Sequence, residues 1–208
     1  MKEINIKTFF SSFLAGITIS FGGFIFLLSE IKIIGALFFT LGLFLVLTRQ
    51  YDLYTGKIAY IPDNKISYIL KLILIWFGNL CGSLTVSVML HFTRFQNISE
   101  NALTVTQTKL SQSPLSAFIL AVFCGFIIYW AVENYKTNQH EVGKYFGLIL
   151  LIPFFVICGF EHCVADMFYF AFALKFFESK SMLYLLIITI GNSIGSIILR
   201  VVKKYILK

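Results

Sequence analysis

The stretch Gly159-Phe160-Glu161-His162-Cys163-Val164-Ala165-Asp166-Met167-Phe168 sets three ionisable side chains, Glu161, His162 and Asp166, inside one long apolar segment. Charged groups within a membrane span cost about 2.5–3.5 kcal/mol each on insertion scales. Three held together are therefore expected to serve the molecule's work. A neutral imidazole donates one hydrogen bond to an anion. As an acid it can also pass the anion a proton, because its ordinary pKa of about 6.5 lies near physiological pH. Glu161 points away from His162 if the two are helical neighbours, and is expected to accept backbone N–H bonds freed where a helix breaks. Asp166 is expected to do the same or to pair with a basic residue. Metal binding by Glu161, His162 and Cys163 is disfavoured, since three consecutive helical side chains diverge. Gly159 is a natural place for the helix to break. Polar groups on a broken helix at mid-membrane are the usual construction of a small-ion pathway.

The rest of the chain reads as the scaffold for that break. Of its 208 residues 58% are hydrophobic and 13% charged, against roughly 45–50% and 25% in soluble domains; the mean hydropathy is +0.85. This describes an all-α, multi-pass membrane protein, one transmembrane domain over residues 1–208, with the lipid bilayer as its surroundings. The net charge of +7 is dispersed between apolar spans rather than gathered on a stripe, so no nucleic-acid partner is expected. The basic head Met1 to Lys7 runs straight into a full-length apolar stretch without a small-residue cleavage site, unlike a cleaved signal peptide. Cys81, Cys124, Cys158 and Cys163 all fall in apolar spans and are expected to be small buried hydrophobes. Cys158 and Cys163 lack zinc-ligand spacing, and no metal or cofactor is expected.

At about 20 apolar residues per crossing, the sequence predicts six spans. The first covers about 9–28, the third 70–92, the fourth 115–132 and the sixth 182–202. The second runs over about 33–47, stops in the polar run Thr48 to Lys57, and resumes over 58–61. The fifth runs over about 145–160, breaks at the opening motif, and resumes over 167–174. Residues 93–113, rich in Ser, Thr, Asn and Gln, read as an exposed loop. Gly78-Asn79-Leu80-Cys81-Gly82-Ser83 and Gly191-Asn192-Ser193-Ile194-Gly195-Ser196 share the pattern G-N-x-x-G-S, and each follows an interrupted span. The chain is therefore read as two copies of a three-span unit, about 8–92 and 115–202. An odd number of spans per unit makes the copies inverted. Matched broken helices in inverted repeats point to a path at the repeat interface. With six spans both termini share a side. That side carries ten of the Lys and Arg residues counted and the other five, among them Lys109, which predicts cytoplasmic termini in the cell membrane.

The residues resemble the formate/nitrite transporter family. The opening stretch is similar to its fifth-helix motif, G-[FY]-E-H-S-[IV]-A-N-M. Asp52-Leu53-Tyr54-Thr55 resembles the aspartate-leucine-phenylalanine-threonine of the loop that breaks its second helix. Phe77-Gly78-Asn79-Leu80-Cys81-Gly82 and Ile190-Gly191-Asn192-Ser193-Ile194-Gly195 resemble its third- and sixth-helix patterns. The resemblance implies a homopentamer of six-helix, aquaporin-like protomers with helices 2 and 5 broken, each with its own pore. It places His162, Lys144, Leu53, Tyr54, Thr55 and Phe160 on the substrate pathway. Lys144 would attract anions into a cytoplasmic vestibule, and Leu53, Tyr54 and Phe160 would form apolar constrictions around His162. Asp52, Glu161, Asp166, Asn79 and Asn192 would support the broken helices. Arg49 and Lys57 would add attraction for anions, or one would neutralise Asp52. Three departures stand out. Asp166 is where the family usually has asparagine, Arg49 precedes the broken loop, and Cys124 to Trp130 replace a polar fourth-helix motif.

The expected function is a channel or transporter for small monovalent anions of weak acids, formate or nitrite first, proton-linked through His162. A hydrosulfide channel of the same family is the alternative. A neutral-solute pore of aquaporin type fits less well, because the acid-base cluster is present and paired N-P-A loops are absent. An enzyme using Glu161 and His162 would lack a nucleophile or metal set at suitable spacing.

Overall fold

In the computed structural model, residues 6–207 are described, so Lys2 and Lys208, counted above in the charge balance, lie outside the described residues. The described residues form helices joined by short connections. They are α1 (Ile6–Leu28), α2 (Lys32–Thr48), α3 (Tyr54–Lys57), α4 (Tyr68–His91), α5 (Ser99–Ser111), α6 (Pro114–Thr137), α7 (Glu141–Ile157), α8 (Cys163–Phe172) and α9 (Ser179–Tyr205). Short 3-10 turns follow α3, at Ile58–Asp63, and precede α5, at Gln96–Ile98.

Four of these helices, α1, α4, α6 and α9, are long and apolar enough to cross a membrane. Their outward faces, and those of α2 and α7, expose residues such as Phe10, Phe38, Phe77, Phe146 and Leu186. A continuous apolar exterior of this kind is stable against lipid and not against water. Within, α1 lies on α2 and α4, α6 lies on α7 and α9, and α2 meets α7 while α4 meets α8. The closest backbone approaches rely on glycine. A Cβ on Gly16 would sit 2.2 Å from the carbonyl oxygen of Asn79, and one on Gly125 2.5 Å from that of Asn192.

α2 and α7 end alike. After α2, the residue Gln50 has φ +57°, the Tyr51 N–H bonds to Val46 O at 2.8 Å and the Gln50 N–H to Leu47 O at 3.3 Å. After α7, Gly159 has φ +67°, the Phe160 N–H bonds to Phe155 O and the Gly159 N–H to Val156 O, each at 3.1 Å. This left-handed residue with two back-directed N–H bonds stops a helix cleanly. The chain then runs extended to Leu53 and to His162 before the next helix starts.

Four expectations need correction. Residues 93–113 are not a loop, because α5 occupies most of them. Its inward seam is only Ala102, Thr106 and Leu110, too small and polar to read as an apolar stripe. The helix after the first interruption starts at Tyr54, not Ile58. The helix after the second starts at Cys163, not Met167, because Asn192, distant in sequence, receives the Cys163 N–H and the His162 side chain receives the Ala165 N–H. Cys158 lies exposed at the second interruption and Cys81 is half-buried; Cys124 and Cys163 are buried.

Candidate functional site

Two asparagines fix the starts of the short helices. Asn79 Oδ1 accepts the Tyr54 N–H at 2.8 Å, and its Nδ2 donates to Ser12 O at 2.7 Å and Asp52 O at 3.0 Å. Asn192 Oδ1 accepts the Cys163 N–H at 2.9 Å, and its Nδ2 donates to Ala121 O and Glu161 O, each at 2.8 Å. Both side chains are fully buried. An extended segment inside a membrane protein strands backbone groups; each asparagine satisfies one carbonyl of that segment and the first N–H of the helix after it, and ties both to a carbonyl of α1 or α6.

The two helix starts meet at His162. Its Nδ1 accepts the Ala165 N–H at 3.1 Å, capping α8. In the neutral ring the proton therefore resides on Nε2, which donates to Thr55 Oγ1 at 2.9 Å. Phe155 stands over the ring at 6.0 Å between centroids, with Phe39 edge-on to Phe155. A cavity of about 330 Å³ opens on the α3 side, lined by Leu53, Gly56, Lys57, Lys136 and apolar residues of α2. A second, of about 550 Å³, is lined by His162, Phe160, Phe155, Lys109, Glu161 and Asp166. Leu53 and the Thr55–His162 pair thus lie between two polar-tipped cavities.

The acidic groups beside His162 are held by α5. Lys109 Nζ contacts Glu161 Oε2 and lies 3.0 Å from Asp166 Oδ1. Gln112 Nε2 donates to Glu161 Oε1 at 2.6 Å. Glu161 thus takes its bonds from side chains, while its backbone carbonyl serves Asn192. In the sequence Lys109 reads only as an orientation charge, and Gln112 carries no signal. A basic residue spaced from a polar one by three, in a segment judged a loop, gives no period to follow. The i, i+3 spacing of Lys109 and Gln112 becomes a signal only once α5 is recognised.

The other candidates are spread out. Asp52 pairs with Lys57 at 2.9 Å, and Arg49 is exposed. The Tyr54 hydroxyl shares a hydrogen bond with Ser193 Oγ at 3.0 Å, and Tyr54 lines neither of these two cavities. Phe160 lies against Phe123 and Phe154 at the wall of the larger cavity. Lys144 sits half-buried near the start of α7, also outside both cavity walls.

The chain matches the family described as "Formate/nitrite transporter" over residues 2–206. It is 29% identical to the formate channel FocA of Haemophilus influenzae over 149 residues, which is 66% of this chain and 52% of that one, so the match spans about half the relative's length. It is 29% identical to a probable formate transporter of Methanothermobacter thermautotrophicus over 240 residues, covering 92% and 85% of the two chains. The fold is similar to that of a solved pentameric formate channel with formate bound, at TM-score 0.85 and 26% identity, covering 97% of this chain and 96% of that chain. An FNT family ion channel, 17% identical and covering 98% of this chain and 90% of that chain, shares the fold at TM-score 0.87. A membrane chain whose two asparagine-held helix starts converge on a buried histidine, matched to the family over almost its whole length, belongs to the formate/nitrite transporter family.

Proposed function

We propose that the chain is a channel for the small monovalent anions of weak acids, formate or nitrite foremost, with permeation linked to protons through His162. The path runs from the cavity lined by Lys57 and Lys136, past Leu53 and the Thr55–His162 pair, to the cavity lined by Phe160 and Lys109. The observation that carries this reading is the direction of the His162 Nε2–H. Nδ1 is engaged by the Ala165 N–H, so Nε2–H is the ring's donor, and Thr55 Oγ1 occupies the place an anion oxygen would take. The N-terminus of α8 adds partial positive charge at the same point. Leu53, Phe39 and Phe155 make the neck apolar, where a bare ion pays a large desolvation penalty and a neutral acid does not. When the ring takes a second proton at Nδ1, the Ala165 N–H loses its acceptor. The imidazolium can then give its Nε2 proton to the anion, and the neutral acid leaves.

In this reading α2 with α3, and α7 with α8, each form one interrupted span. Six spans then make two inverted repeats with both termini in the cytoplasm. The protomer assembles as a homopentamer, a state supported by the similarity to a pentameric channel. Lys144 draws anions toward the cytoplasmic mouth, and Asp52, Glu161, Asp166, Asn79 and Asn192 hold the interruptions. Flux of formate, nitrite, hydrosulfide and glycerol into proteoliposomes tests the reading. Formate or nitrite is expected to pass and glycerol to be excluded. Glycerol flux equal to that of the anions would overturn it, and hydrosulfide flux alone would shift the substrate to the alternative.

A further inference from the structure

Residues 53–63 form one rod whose ends lie in different surroundings. α3 passes without a gap into the 3-10 turn Ile58–Asp63, and the Ile58 N–H bonds to Tyr54 O. The inner end carries Leu53 and Thr55, each 1% exposed. A four-residue helix followed by a 3-10 turn does not hold its position by itself, and only Ile58 and Ala59 of the turn are buried. α8, by contrast, is buried along all ten residues. Asn79 pins the rod's inner end through the Tyr54 N–H. Charge pins its outer end. Arg200 Nε lies 2.6 Å from Asp63 Oδ2 and Lys204 Nζ 2.8 Å from Oδ1, and Lys204 Nζ also donates to Pro62 O at 2.9 Å. The Tyr60 hydroxyl donates to Glu133 Oε2 at 3.1 Å. Glu133 Oε1 meets Lys203 Nζ at 2.9 Å and Arg200 Nη1 at 3.6 Å. Lys136 Nζ and the Arg200 guanidinium lie 4.0 and 5.1 Å from the centre of the Tyr60 ring. Asp63 is thus the rod's own carboxylate, and both its oxygens are engaged by α9.

We propose that Asp63, clamped by Arg200 and Lys204, is a positioning residue for the neck, which holds the rod so that Leu53 and Thr55 close the path to uncharged solutes of glycerol size. It touches no permeant and acts through α3. Without the clamp the rod keeps its pin at Asn79 and its outer end swings free, so that Leu53 withdraws and Thr55 parts from His162. The Asp63 and Arg200 side chains are 22% exposed, so salt weakens the clamp by screening. This rests on the proposed path past Leu53 and the Thr55–His162 pair, and places a control of that neck at the end of α9.

The test is the glycerol-to-formate flux ratio in equally reconstituted proteoliposomes at pH 7, at low and at high salt. Wild type is compared with Asp63→Asn, Asp63→Glu and Arg200→Gln; the arginine variant gives the same measurement should the asparagine variant fail to assemble. Glu178→Gln, which breaks the exposed pair with Lys175 away from the rod, is the control. At low salt Asp63→Asn and Arg200→Gln are expected to raise the ratio about threefold to fivefold, the scale of a partly exposed ion pair. Asp63→Glu keeps the charge and is expected to stay near wild type, as is Glu178→Gln. High salt is expected to raise the wild-type ratio and to leave that of Asp63→Asn where it is. A ratio unchanged by Asp63→Asn and Arg200→Gln, or raised equally by Asp63→Glu or Glu178→Gln, overturns this inference alone, provided that wild type passes formate and excludes glycerol. Wild type that passes no formate, or passes glycerol as freely, overturns the channel reading and the inference with it.

Discussion

The two helix starts at the centre of the molecule share a backbone and differ in their chemistry. Gln50 and Gly159 stand 109 positions apart, and so do Asp52 and Glu161, Leu53 and His162, and Tyr54 and Cys163. At each, a left-handed residue ends one helix, an extended segment follows, and a buried asparagine receives the next helix. The side chains then diverge. Leu53 makes no cap, whereas His162 caps α8 through Nδ1. Asp52 pairs with Lys57, five residues on, while Glu161 pairs with Lys109, which α5 brings from elsewhere. The helix after the first interruption is four residues long and passes into a 3-10 turn, held from outside where Asp63 meets Arg200 Nε at 2.6 Å and Lys204 Nζ at 2.8 Å. α8 runs ten residues, all buried. The frame is built twice, and the histidine cap and its acid-base surroundings are placed in one copy only.

The largest effects should come from breaking the shared frame. Asn79→Ala and Asn192→Ala each remove three buried hydrogen bonds, expected to cost about 2–5 kcal/mol from the net value of each bond and the groups left stranded. Thermal unfolding in detergent should give the two variants losses within about 1 kcal/mol of each other. A large loss in one and none in the other would break the equivalence.

Next come changes to what differs. Lys109→Met leaves two buried carboxyls uncompensated and is expected to cost about 3–5 kcal/mol. Asp52→Asn, which breaks a half-exposed pair, is expected to cost about 0–1 kcal/mol. Equal losses would mean that α5 is not the special support of the second copy.

A smaller difference should appear with pH. Burial pushes the Asp63 carboxyl upward, but hydrogen bonds and charge contacts from Arg200 and Lys204 outweigh it and hold the pKa below the ordinary aspartate range. With the folded value depressed, the stabilisation is present above the unfolded pKa of about 3.9 and is lost as pH falls through the lower folded value. Hydrogen exchange over 58–64 should therefore accelerate on acidification below that point while α8 stays protected. Equal acceleration in both would remove the distinction. The smallest effect is expected for Lys144→Ala, which lies outside both cavity walls. It should slow uptake mainly at low ionic strength, since the field of a charge that reaches water is screened over about 8 Å at physiological salt. The same loss at high salt would point to a different role.

Much of this arrangement is legible in the sequence, for identifiable reasons. A broken apolar run and a repeated G-N-x-x-G-S are local features, and they pointed to the interruptions and to Asn79 and Asn192. Gly159 signalled a stop because it takes a positive φ without strain. Gln50 does the same work and gave no such signal. The exact starts of α3 and α8 were not legible, because they depend on N–H groups that donate to distant asparagines. α5 was missed because burial against α8 rests on Ala102, Thr106 and Leu110, while Lys109 looked like any lysine near a membrane surface. A long-range partner such as Lys109 for Glu161 leaves no periodic trace.

The most direct test is formate flux against external pH in proteoliposomes containing wild type, His162→Asn or His162→Phe, with equal reconstitution verified. Wild-type flux is expected to rise as pH falls, because more of the permeant is protonated near the neck. Asparagine keeps a hydrogen-bond donor but cannot titrate, so that variant should still pass formate without the rise. Phenylalanine fills a similar volume with an apolar ring and should stop flux in an assembled protein. If all three give the same flux and the same pH dependence, His162 only caps α8, and the pathway described through it is wrong.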